Sequence, residues 1–176
     1  MAQLPLDAVR AILAQESEIP AALAWAERHG HTLEYDSDSL TVRLPVDGPA
    51  VGANGAREPY LLVGWLEDFD LLPPIWRFVD PRNGRVIGRA AYPAPGPTGS
   101  SVLHSNGVIC APWSRLAYAD AGEGGPHSDW GAQREWKRAA PNYTHAETIP
   151  DMLDRIVREI RCSGGRMTPL PLLPLP

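Results

Sequence analysis

Cysteine is scarce in this chain. Cys110 and Cys162 are the two thiols in 176 residues, too few for a disulfide scaffold. Free thiols and a cytoplasmic location are the simplest expectation, and a single Cys110–Cys162 disulfide is the alternative. Positive charge is in deficit, with 16 Lys and Arg against 21 Asp and Glu and a formal charge of −5. That disfavours a mainly electrostatic nucleic-acid binder, which needs a basic patch to neutralise phosphates. Long apolar runs are missing too. None approaches the roughly 20 residues of a membrane helix. The opening "MAQLPLDAVRAILAQESEIP" lacks the basic flank and apolar core of a signal peptide. No internal repeat is visible.

What is present suits one domain with a substantial core. Helical signals run over 6–14 and 19–29, with Pro20 in a first turn and Gly30 as a C-terminal stop. Two-residue alternation predicts strands over 32–35 and 40–46. "DGPAVGANGAREP" reads as a loop. "PYLLVGWL" is a third strand and "PIWRFV" a fourth, with Trp76 and Phe78 on one face. "DPRNG" is a turn, after which "RVIG" returns as a short fifth strand. From Ala90 to about Arg138, Gly and Pro punctuate an irregular stretch of a length that is usually functional or disordered. Ile149, Met152, Leu153, Ile156, Val157 and Ile160 then mark one face of a helix. Thr148 is its N-cap and "SGG" its stop. The fold class is therefore α+β: N-terminal helix, four-stranded antiparallel meander, long loop, C-terminal helix. Residues 1–165 form a single domain, and 166–176 a proline-rich flexible tail.

The chemistry concentrates in "LHSNGVIC". Cys110 reacts only as a thiolate, so a positive or hydrogen-bonding neighbour must help it. A Cys–His pair requires His104, His127 or His145 to fold back onto the sulfur. Asn106 and the NH groups near Gly107 are candidate oxyanion donors. Against this stands a bland reading in which "VICA" is a core strand and Cys110 an inert apolar filler. A zinc site from Cys110, His104, His127 and Cys162 lacks the usual close ligand spacing. "GEGG" lacks the Lys-Ser/Thr of a phosphate loop. Trp65 and Trp76 read as core residues. Trp113 reads as a shield or groove wall beside the thiol, and Trp130 and Trp136 as pins for the long loop.

Two stretches resemble the ubiquitin-conjugating enzymes, in particular divergent bacterial members of that fold. "EDFDLLPPIWRFVDP" is similar to the segment in which a Tyr-Pro precedes a Pro-Pro opening the fourth strand. Pro73–Pro74 match the Pro-Pro, and Phe69–Asp70 replace the Tyr-Pro. "HSNGVIC" is similar to the active-site approach, with His104, Asn106, Gly107 and Cys110 at the family's His, Asn, Gly and thioester-forming Cys. Trp136, Pro141 and Thr144, before the last helix, also look similar. Ser105 stands in place of the family's proline, "APW" follows the cysteine, and "YADAGEGGPHSDWGAQRE" is inserted after it. The likeness spans roughly residues 6–162 in element order.

The resemblance implies a UBC-like transferase. Cys110 accepts a ubiquitin-like modifier as a thioester from an activating enzyme and passes it to an amine, usually a lysine. The activating enzyme spends the ATP, so no cofactor, nucleotide or metal is implied. Asn106 is the oxyanion candidate, with His104 beside it. Asp120, His127 and Asp129 are candidates to orient the lysine or take its proton. The partners are the modifier, the activating enzyme and the substrate lysine, with no nucleic acid and no membrane. The alternatives are a non-catalytic UBC-like module that binds a ubiquitin-like protein or partner, and an unrelated interaction domain.

Overall fold

The structure, a computed structural model, describes residues 3–51, 55–97, 101–122, 126–138 and 145–170. Two short helices open it, α1 (Leu6–Leu13) and α2 (Ile19–Arg28). Gly30 leaves α2 with φ of +70°, where glycine carries no Cβ penalty. Four strands follow: β1 (Glu34–Asp36), β2 (Thr41–Val51), β3 (Ala56–Trp65) and β4 (Ile75–Val79). They pair antiparallel in the order β1-β2-β3-β4. The meander is therefore as the alternation predicts.

Glycine has a specific task in the centre of this sheet. Gly64 pairs with Val42 on one side and Trp76 on the other. A Cβ on Gly64 would sit 2.3 Å from Trp76 Cζ3. The missing side chain lets the indole lie flat on β3, where Trp76 is fully buried. Tyr60, Phe78 and Tyr92 extend the same apolar layer through edge-on ring contacts at 5.9 and 5.0 Å.

The last helix, α4 (Ile149–Cys162), covers this layer, lying on β2 and against α2. Its six predicted apolar residues are all buried. Each contributes on the order of 1.5–3 kcal/mol of gross burial. Asp151 N–H donates to the Thr148 side-chain oxygen at 3.4 Å, the expected N-cap. Trp25 Nε1–H donates to Asp154 at 3.3 Å and ties α2 to α4.

The structure departs from the sequence reading in three places. "DGPAVGANGAREP" is not wholly loop, because β2 and β3 continue pairing through Val51 and Ala56 across an irregularity between Asp47 and Ala50. Beyond Arg43, β2 has no partner on its β1 side among the described residues, so Pro45 and Pro49 interrupt no ladder there. "RVIG" forms a single bridge, Val79 with Val86, and no fifth strand. Ile87 turns into the core and draws the chain off the edge of β4. The stretch from Ala90 to Arg138 holds regular structure: 3-10 helices at Arg89–Ala91 and Gln133–Arg138, and α3 (Arg115–Ala121).

After α4 the chain returns along the sheet. The Arg166 guanidinium donates to Ala91 O at 2.8 Å and Pro59 O at 2.5 Å, and lies over the Tyr60 ring. Thr168 donates to Ala90 O at 2.8 Å. Pro141 and Thr144 of the resemblance, and the tail beyond residue 170, lie outside the described residues. No helix among the described residues is long and apolar enough to cross a membrane.

Candidate active site

"LHSNGVIC" folds into a tight hairpin. Cys110 N–H donates to Val102 O at 2.7 Å, His104 N–H to Val108 O at 3.1 Å, and Gly107 N–H to His104 O at 2.9 Å. The two-residue alternation of this hairpin splits its side chains between two apolar groups. Leu103 and Ile109 enter the main core. Val108 and Cys110 join a second, smaller cluster with Ala117, Tyr118 and Trp130. The thiol thus sits in its own apolar nest at the edge of the domain.

Two arginines fix that nest. Arg115, the first residue of α3, donates from its backbone to Pro74 O and from Nε to Pro73 O, both at 2.9 Å. Its guanidinium also donates to Glu67 O and lies 3.8 Å from Asp68. The Pro73–Pro74 segment therefore anchors the helix that begins five residues after the thiol. At the far end of α3, Asp120 accepts a two-pronged contact from Arg89, with one arm at 3.0 Å. Arg89 is also the residue against which Gly107 packs. Asp120, one of the candidates to orient the lysine, is thus paired with Arg89 in a half-exposed contact.

His127 is the histidine that reaches the sulfur. Its Nε2 lies 3.5 Å from Cys110 Sγ. Trp130 sets the ring, stacking obliquely on it at 4.8 Å and donating its backbone N–H to His127 O at 3.2 Å. Trp130 in turn rests on Tyr118 at 5.6 Å. His145 is occupied elsewhere, 2.8 Å from Glu147. His104 closes the hairpin through its backbone. Its imidazole is held below the usual histidine range by burial and by the neighbouring His127. Asn106, at the tip of the turn, and Asp129 are both exposed. The structure brings His127 to Cys110, while His104, Asn106, His127 and Asp129 are all exposed.

Burial dominates the electrostatics. Cys110 is 6% exposed, and desolvation pushes its thiol up to about 11. At neutral pH about one molecule in ten thousand would carry a free thiolate. A neighbouring group able to take the thiol proton would offset that burial, and His127 Nε2 lies 3.5 Å away, as acceptor or donor according to its tautomer. Tyr118 is 2% exposed, and burial pushes its phenol up to about 12. Among the described residues its hydroxyl has no hydrogen-bond partner.

The remaining expectations sort as follows. Both cysteines are free, Cys110 buried and Cys162 exposed, so they form no disulfide. No group of three or more His, Cys, Asp or Glu among the described residues could hold a metal ion. Trp113 lies in the main core, and Trp130 is the tryptophan of the thiol cluster. Trp136 does pin its segment, donating from Nε1 to Asp70 O at 3.2 Å. Sequence reasoning missed Tyr118, Arg89 and Arg115. The apolar pair Ala117–Tyr118 was the available signal, but two residues set no period. No protein-family model, curated protein or solved structure matches this chain.

Proposed function

We propose that this chain is a UBC-like conjugating transferase. Cys110 accepts the C-terminal carbonyl of a ubiquitin-like modifier from an activating enzyme, then passes it to a substrate lysine. The observation that carries this reading is the 3.5 Å approach of His127 Nε2 to Cys110 Sγ. The element order supports it: helices, an antiparallel four-stranded meander, a thiol loop after β4, and a final helix across the sheet. So does the use of the Pro73 and Pro74 carbonyls to anchor the segment after the thiol.

The chemistry is a balanced exchange. The Cys110 thiol proton moves to His127 Nε2, and the sulfur attacks the incoming thioester carbonyl. The activating enzyme's sulfur leaves as a thiolate. His127 hands its proton to that departing thiolate and is neutral again. In the second step a lysine amine attacks the Cys110 thioester. His127 takes the proton the amine loses as the amide forms, and passes it to the departing Cys110 sulfur. Two free thiols suit a cytoplasmic setting. The burial of Cys110 favours the second reading, a UBC-like module that binds without catalysis. The paired imidazole favours the first.

The test is a charging reaction with ATP, a cognate activating enzyme and its modifier, read on a non-reducing gel. The expected result is a modifier-sized shift that reductant removes and Cys110→Ala abolishes. An active partner pair that gives no shift overturns the reading in favour of the binding module.

A further inference from the structure

A buried hydroxyl without a partner is rare in a folded protein and calls for a physical reason. Tyr118 is such a case: its oxygen is shut off from solvent and no group accepts from it or donates to it among the described residues. The ring packs in the same small cluster as the nucleophile, with Val108, Cys110, Ala117 and Trp130. Trp130, which lies on Tyr118, also carries the His127 ring. One buried nest therefore holds a thiol and an idle donor, with the exposed His127 against its outer side. Asn106, the donor implied by the family resemblance, stands exposed at the hairpin tip.

We propose that Tyr118 is a catalytic residue whose hydroxyl donates a hydrogen bond to the acyl oxygen on Cys110. This rests on the acyl-transfer reading of Cys110 and replaces Asn106 in the oxyanion role. As the sulfur attacks, the carbonyl π pair moves onto oxygen. The oxyanion accepts from the Tyr118 O–H, and the pair returns when the leaving group departs. The phenol keeps its proton throughout. A donor aimed at charge that exists only in the transition state speeds the chemical step without tightening the ground state. On this proposal the hydroxyl is idle in the uncharged protein because its acceptor arrives with the acyl group.

The test uses the full chain in a Cys162→Ser background, so that Cys110 is the one thiol. Acylation by p-nitrophenyl acetate is followed by nitrophenolate release, and alkylation by iodoacetamide is followed by mass. Acylation passes through an oxyanion, and alkylation does not. The expected result is that Tyr118→Phe slows acylation roughly 100-fold, leaves alkylation unchanged and does not lower Tm. Equal effects on both reactions, or none, would show a packing tyrosine and overturn the proposal. So would a wild-type Cys110 that is never acylated. A normal Tyr118 effect together with failed charging by the activating enzyme would sink the modifier reading alone.

Discussion

Gly107 lies so close to Arg89 that a Cβ on the glycine would sit 2.2 Å from the Arg89 Cβ and 2.4 Å from its carbonyl oxygen. The contact presses the thiol hairpin onto the 3-10 helix that precedes it. Gly107 also has φ of +69°, so a side chain there meets backbone strain as well as a clash. Gly107→Ala should lose at least about 1–3 kcal/mol, read by denaturant unfolding. Whatever fraction folds should have a displaced hairpin and slower Cys110 acylation.

Arg115 has a larger stability role. It bonds three backbone carbonyls through its side chain and main chain and faces Asp68, whose side chain is 11% exposed. Arg115→Ala should cost about 2–4 kcal/mol, because it strips the side-chain donors from Pro73 O and Glu67 O and the facing charge from Asp68, while the backbone bond to Pro74 O remains. Arg115→Lys should recover only part, since an ammonium cannot fork between Pro73 and Glu67.

The Arg89–Asp120 pair is half-exposed, and solvent screens it. A double-mutant cycle of Arg89→Ala and Asp120→Ala should give a coupling of about 1 kcal/mol or less. A coupling several times larger would mean that the pair is desolvated in solution.

Much of the scaffold was legible because its elements repeat. The α4 stripe spans four turns, and Thr148 marks its start. The second, third and fourth strands of the meander each run for five residues or more. The failures lie where signals are short or spatial. β2 and β3 run past a Gly/Pro-rich turn because strand pairing, which sequence does not display, overrides local composition. α3 has two turns and buries only Ala117 and Tyr118, too few to set a period. Cys110 was legible as a candidate from its motif. Which of three histidines meets it was not, since His127 lies 17 positions beyond Cys110 with α3 between them. The orphan hydroxyl of Tyr118 is a property of packing alone.

Glu18 gives a pH test of the helix junction. It is 5% exposed and accepts from Ile149 N–H at 3.0 Å. Burial raises its pKa, and the Ile149 bond and Lys137 pull part of the way back. A carboxyl raised in the folded state contributes stability that is full below the unfolded value and lost as pH rises through the folded one. Glu18→Gln keeps an acceptor and removes the charge. Its Tm relative to wild type should therefore rise from pH 4 to pH 7. A constant difference would mean the carboxylate is not desolvated.

His127 should set the pH profile of thiol reactivity. With His127→Gln, iodoacetamide labelling of Cys110 should be slow at neutral pH and climb only toward about 11, where burial places the thiol. Wild type should react faster at neutral pH. Superimposable profiles would remove His127 from the mechanism.

The central claim is that an acyl group resides on the side chain of residue 110. Its most direct measurement is intact-mass analysis with peptide mapping of a Cys110→Ser variant after incubation with ATP, activating enzyme and modifier. The account predicts an added modifier mass that survives reductant, maps to position 110 and is released by mild base as an ester is. An unmodified variant beside an unmodified wild type, or a modifier mapped to a lysine alone, would contradict it.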